Sequence, residues 1–185
     1  MGRAEEEREV VELLLQAVKI LEDGMSAALL PGGGSPLGYA FRGARRPEDV
    51  AGVAGGLVRE DGRVRPSGGI SFGAGEGAAR VVLTAMRTDP EIRSAAGIRF
   101  SPGILGVLED LLLEICEFDR SREPPGISTM DWGVAFCCRD GVPDAIFDRG
   151  APGKEGLIRI LGEDPVKVAR TIVAVSRRLR GGSGA

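Results

Sequence analysis

From Ile70 onward the chain alternates short apolar runs with amphipathic segments, and this alternation restricts its fold more than any other feature. Ile70-Ser-Phe72 is followed by a helical pattern from about Ala78 to Met86. Beyond Pro90 the pattern predicts a short helix, then an apolar run at Ile98 to Phe100. Ser101-Pro102 predicts a firm helix start, because Ser caps the first amides and Pro at the first helical position gives up an N–H that has no partner there. Ile104, Leu105, Leu108 and Leu111 continue it at helical spacing. Strands are then expected at Leu113 to Phe118, Ala145 to Phe147 and Leu157 to Ile160, with a helix at Trp132 to Cys138. Glu163-Asp-Pro165 opens a last helix carrying Val168, Ile172 and Val175. Helices and strands in alternation imply an α/β domain with a mixed β-sheet and flanking helices.

Upstream, residues 4–23 read as an amphipathic helix, with Val11, Leu14, Leu15, Val18 and Leu21 on one stripe and Gly24 at its end. A Pro-Gly-Gly-Gly loop at 31–34 precedes a short strand, Leu37 to Phe41. Pro47 to Val53 reads as a turn into a second strand. Leu57-Val-Arg and Arg63-Val-Arg flank Glu60-Asp-Gly62, a hairpin signal. The expectation is that the N-terminal half forms hairpins packed onto the sheet. With 185 residues the chain suits one domain over 1–185, ending in a frayed tail at 181–185.

The chain has no histidine, which removes the commonest general base and metal ligand and excludes Ser-His-Asp and Cys-His nucleophile sets. A net charge of −3 argues against direct nucleic-acid binding, and Arg177, Arg178 and Arg180 are accounted for by their place at a helix C-terminus. No run of 18 apolar residues is present to span a membrane, and the acidic Glu5-Glu-Glu7 is the reverse of a signal peptide, so a cytoplasmic location is expected. Cys116, Cys137 and Cys138 lack a Cys-x-x-Cys spacing and are odd in number, so they are expected to be buried, reduced thiols.

The last third of the chain groups its charges. Asp119-Arg120 and Asp148-Arg149 each follow an apolar run, and Gly153-Lys-Glu155 forms a turn nearby. Residues just past strand C-termini line the ligand crevice of open α/β sheets, so these pairs point to an anionic small-molecule site. Of 24 basic residues only Lys19, Lys154 and Lys167 are lysines, which marks Lys154 as a candidate point charge for phosphate. Trp132, the sole tryptophan, follows Ser128 and Thr129 and could stack on a flat ring or anchor the core. Gly73-Ala-Gly-Glu-Gly77 sits between a strand and a helix, where its amides could face an anion or simply turn the chain. No metal site is legible, although Mg²⁺, which needs only one or two carboxylates, stays open if the chain is catalytic.

Over residues 12–175 the chain resembles the archaeal-type thiamine-phosphate synthase domain called ThiN. The resemblance rests on Gly38-Tyr-Ala40, Asp49-Val-Ala-Gly-Val53, Gly62-Arg-Val-Arg65, Phe72-Gly-Ala74, Ile98-Arg-Phe-Ser101 and Phe118-Asp-Arg120. Trp132-Gly-Val134, Pro143-Asp144, Asp148-Arg-Gly150, Gly153-Lys-Glu155 and Ile158 to Pro165 extend it. Such domains join an aminopyrimidine diphosphate to a thiazole phosphate and release pyrophosphate. Others stand fused to a pyrimidine kinase, or behind a helix-turn-helix as thiamine-phosphate sensors. The resemblance places a family Arg at Gly56, a family His at Gly77 and a frequent Asn at Pro36.

It therefore implies a domain that binds thiamine phosphate or a precursor without making it. The ligand residues would be Asp119, Arg120, Ser128, Thr129, Trp132, Asp148, Arg149, Gly153, Lys154 and Glu155. Arg120, Arg149 and Lys154 would hold phosphate, an Asp would face the cationic ring or amine, and Trp132 or Phe100 would pack on a ring. The competing expectation is an active synthase in which Arg59, Arg63 or Arg80 replaces the missing cation. A third is a subunit that pairs with a kinase or DNA-binding partner. Too few residues precede the matched region for a helix-turn-helix, and a homodimer is compatible with the pattern.

Overall fold

The computed structural model describes residues 2–126 and 131–182. Helix α1 (Arg3–Gly24) leads into β1 (Leu37–Ala40), β2 (Val50–Val53), a hairpin of β3 (Leu57–Glu60) and β4 (Arg63–Pro66), and β5 (Ile70–Phe72). Then come α2 (Glu76–Met86), β6 (Ser94–Arg99), α3 (Pro102–Asp110), β7 (Ile115–Glu117), α4 (Trp132–Cys137), β8 (Ala145–Phe147), β9 (Leu157–Gly162) and α5 (Pro165–Gly182). Seven strands form one sheet in the order β5-β2-β1-β6-β9-β8-β7. Every neighbouring pair is antiparallel except β7 and β8, which run parallel with Glu117 opposite Phe147. The single α/β domain with a mixed sheet is what the alternating pattern implies.

Strand alternation divides the sheet into two faces. On one face Ala96, Ile98, Ile158 and Ile160 join Leu14 and Leu21 of α1, Leu108 of α3, and Ile172 and Val175 of α5 in the larger core. On the other, Ala95, Ile146 and Leu161 pack against Ala79, Val82 and Ala85 of α2 and Val134 of α4. The second face carries the site. Gly52 lets α2 start directly on β2, since a Cβ there would lie 2.7 Å from the Gly75 Cα. α4 is hung from α2 and the turn after it by the Asp131 amide donating to Thr84 Oγ1 (3.1 Å) and by Thr88 Oγ1 donating to the Cys138 carbonyl (2.9 Å).

Three expectations are corrected. The N-terminal segments are not all hairpins laid on the sheet: β1, β2 and β5 are strands of it, and only β3–β4 stands apart. That hairpin turns at Asp61 and Gly62, both at positive φ, as a two-residue turn matched to strand twist requires. The short helix after Pro90 is absent, because Ser94 to Arg99 pairs along its whole length with β9 and its first residues also pair with β1. Tertiary pairing overrides the weak strand propensity of Ala95-Ala-Gly97. Finally, Cys116 and Cys137 form a disulfide joining edge strand β7 to α4, because the fold sets their Cα atoms 5.7 Å apart. Only Cys138 is a buried free thiol, and burial pushes it up to about 11.

Candidate functional site

The two Asp-Arg pairs lie together because each follows a strand of the single parallel pair, so both strands end at the same edge. Here they part in role. Asp148 is fully buried. It accepts from Arg120 Nε at 2.6 Å and Arg120 Nη2 at 3.3 Å, from Arg159 Nη1 at 3.0 Å and from the Gly150 amide at 2.9 Å. Burial alone pushes this carboxyl up. The hydrogen bonds from Arg120 and Arg159, the Arg159 charge and the Gly150 amide outweigh it, and the group is held below its ordinary value. Asp148 therefore anchors two guanidiniums and presents no exposed surface. Asp119 is exposed and caps the short turn Arg120–Arg122, accepting from the Ser121 hydroxyl (2.7 Å) and amide (2.9 Å), which lower its pKa.

Arg120, Arg149, Asp119 and Trp132 line one cavity of 710 Å³ together with Arg122 and Phe136. The sequence expectation thus converges on one place for four of its residues. Arg149 is half-exposed, paired with Glu117 (2.7 Å) and lying over the Phe100 and Phe147 rings. Trp132 meets Phe118 edge-on at 6.2 Å and stacks with Phe136 at 5.8 Å, so one half of the ring is core and the other borders the cavity. Ser128 and Thr129 lie outside the described residues. Gly153 and Lys154 sit on an exposed turn closed by backbone bonds between Ala151 and Lys154. Glu155 turns away to accept from the Gly32 amide (2.8 Å) and pairs with Arg99 (4.0 Å). That contact pins the 31–34 loop.

The same loop borders a second concavity. Gly33, Gly34, Pro36, Gly55, Gly56, Gly75, Gly77 and Leu157 line a cleft of 380 Å³ at the N-terminal end of α2. Through Pro36, Gly77 and Leu157 it continues into a recess of 160 Å³ that Arg80, Asp131 and Arg159 also line. Arg159 connects the two parts, since it reaches the recess and also binds Asp148 beside Arg120. It is 6% exposed and sits at 5.0 Å over the Phe118 ring. Sequence reasoning missed it, although an Arg inside the apolar run Leu157-Ile-Arg-Ile-Leu161 is itself a signal of a buried, partnered charge.

Positions 56 and 77 differ in what they allow. Gly56 has φ +70°, and a Cβ there would lie 2.6 Å from the Ser35 carbonyl oxygen. A Cβ at Gly77 would meet only the Pro36 ring, its nearest atom at an ordinary 3.6 Å. Chemically, the site offers guanidiniums, backbone amides and an aromatic edge: equipment for binding a phosphate and a flat ring. Among the described residues no group of three or more acidic or sulfur side chains could hold a metal ion. No described helix is long and apolar enough to cross a membrane.

The family model for thiamine-phosphate synthase ThiN matches residues 14–174. The chain is 35% identical over 171 residues to the bifunctional thiamine biosynthesis protein ThiDN of Methanocaldococcus jannaschii, covering 91% of this chain but 40% of that protein. It is 34% identical over 141 residues to the thiamine-phosphate synthase ThiN of Methanothermobacter thermautotrophicus, covering 72% of this chain and 74% of that one. Among solved structures, the C-terminal domain of protein MJ0236 superposes with a TM-score of 0.87 at 34% identity, covering 94% of this chain and 97% of that one. The C-terminal domain of a phosphomethylpyrimidine kinase superposes at 0.79 and 31% identity, covering 91% and 98%.

Proposed function

This chain belongs to the thiamine-phosphate synthase ThiN family, and from that premise we propose that it binds thiamine phosphate or one of its phosphorylated precursors without catalysing their union. Membership ties the chain to thiamine biosynthesis. One observation carries the finer reading. Pro36, Gly56 and Gly77, the positions where the resemblance places Asn, Arg and His, are far apart in sequence yet line one cleft. All three changes therefore remove polar groups from the same place. A glycine supplies neither a cation for departing pyrophosphate nor a proton-transfer group, and such groups contribute on the order of 10²-fold each.

The phosphate is held by Arg120 and Arg149 at the common end of β7 and β8, and the ring lies against Trp132. Asp148 and Arg159 position Arg120 and bridge this pocket to the glycine-lined cleft. Calorimetric titration tests the arrangement. Thiamine phosphate should bind at least about tenfold more tightly than thiamine, as losing one charge-assisted contact implies. Equal affinities would overturn the placement of the phosphate.

A second reading has one observation in its favour. Arg80 and Arg159 line the recess that opens from Gly77, so a guanidinium borders the cleft despite the glycine at 56. On that reading the chain is an active synthase and Arg80 takes the pyrophosphate charge, with Mg²⁺ as a candidate companion. A turnover assay separates the two.

A further inference from the structure

Two walls of the pocket that contains Arg120, Arg149 and Trp132 are tied covalently, and the binding reading above makes no use of that tie. Glu117 to Arg120, at and just beyond the end of β7, form one wall, and Trp132 and Phe136 of α4 form another. Cys116 immediately precedes Glu117, Cys137 immediately follows Phe136, and the two are bonded. Each half of the bond thus sits beside a residue that shapes the pocket. Glu117 pairs with Arg149 Nε at 2.7 Å, and Phe136 stacks on Trp132. The elements that carry the cysteines are short: β7 is a three-residue strand at the edge of the sheet, and α4 has six residues. Segments of this length are held by tertiary ties rather than by their own propensity. Besides the bond, the Phe118 ring joins the two walls, lying against Gly133 and edge-on to Trp132.

Cys116 is only partly buried and lies on the outermost strand, so an external thiolate has a route to its sulfur, whereas Cys137 is 9% exposed. Accessible disulfides are the ones that exchange. Cys138, next in the chain to Cys137, does not compete for the bond: it is buried, and burial pushes its thiol up to about 11, which leaves little thiolate at neutral pH. We propose that Cys116–Cys137 is a thiol–disulfide exchange site, opened by a dithiol reductant, and that opening it loosens the α4 wall and weakens ligand binding. One thiolate of the reductant attacks Cys116 Sγ, the Sγ–Sγ bond breaks, and Cys137 departs as a thiolate that takes up a proton. The second thiolate then attacks the reductant sulfur held by Cys116, closing the reductant's own disulfide and releasing Cys116, which is protonated in turn. Two electrons and two protons pass to the protein, and the dithiol leaves oxidised. A ligand that binds the opened chain has to order α4 and the end of β7 itself, and that ordering is subtracted from its affinity.

The test takes the full chain, dithiothreitol as the reductant and iodoacetamide to mark free thiols by mass. In the native chain Cys116 and Cys137 are expected to become alkylated after reduction while Cys138 stays protected. Trp132, the sole tryptophan, reports the wall directly. Acrylamide should quench its fluorescence more strongly after reduction, and reoxidation should reverse the change. Thiamine phosphate should bind the reduced chain about fivefold or more weakly, the effect of having to immobilise one or two side chains again. Cys116→Ser with Cys137→Ser should bind as the reduced parent does and ignore dithiothreitol. The proposal is overturned if the bond yields only in denaturant, or if quenching or affinity is the same in both states. It is equally overturned if reduction abolishes the far-UV circular dichroism, which would make the bond a staple of the whole fold. The inference rests on the function proposed above only for its affinity readout. Should thiamine phosphate bind neither form, that function falls, and Trp132 quenching alone decides the exchange site.

Discussion

Asp148 shows why a side chain's chemistry depends on its neighbours. It lies in an Asp-Arg pair as Asp119 does, but burial and two guanidiniums make it a structural anchor. Removing it as Asp148→Ala leaves Arg159 buried and uncompensated, and should cost about 3–5 kcal/mol in urea unfolding at pH 7. Lys154→Ala, on an exposed turn, should change stability by less than about 0.5 kcal/mol. Because the folded Asp148 is held below its ordinary value of 3.8, its stabilisation is complete above that pH and fades as pH falls through the lower folded value. The gap between parent and Asp148→Ala should therefore narrow on acidification well below pH 4, and a constant gap would contradict the account. Gly56 and Gly77 offer a second contrast. Gly77→His meets only Pro36 and should fold as the parent does, whereas Gly56→Arg forces a side chain into positive φ beside the Ser35 carbonyl. It should lose at least about 1–3 kcal/mol, read as a lower melting temperature. The Asp-Arg dipeptides were visible in the sequence, but burial was not, since it is set by β9 arriving some ten residues later with Arg159.

Helix α4 is the element on which the site turns. Its first turn brings Asp131 to the recess and Trp132 to the larger cavity, and its last turn is bonded through Cys137 to β7. The disulfide closes a loop with a sequence separation of 21 residues, so Cys137→Ser should lose about 3 kcal/mol on the chain-entropy estimate. Thiol titration under denaturing, non-reducing conditions should find only Cys138, and all three cysteines after reduction. Three thiols in both cases would refute the pairing. Sequence spacing gave no hint of this bond, because the partners meet only once β7 takes the sheet edge and α4 packs behind it. Local signals served better where the element caps itself: Ser101 caps α3 through the Ile104 amide, and Asp61-Gly62 turns its hairpin. They failed at Ala95-Ala-Gly97, a strand made by its two neighbours rather than by its own residues.

At the scale of the whole molecule, the sheet collects residues from three distant stretches into one cleft. The 31–36 loop, Gly55-Gly56 and the start of α2 converge there because β1 and β2 are adjacent and α2 begins over Gly52. No single motif revealed that convergence; it became legible only through the match to a family pattern spread along nearly the whole chain. The central claim is binding without synthesis. The most direct measurement is pyrophosphate release by the purified chain, supplied with both the hydroxymethylpyrimidine diphosphate and the thiazole phosphate at concentrations shown by titration to saturate it. The account predicts release indistinguishable from the protein-free control while thiamine phosphate binds the same preparation saturably. Release at an ordinary enzymatic rate, about 1–10³ s⁻¹, would contradict it and hand the pyrophosphate charge to Arg80.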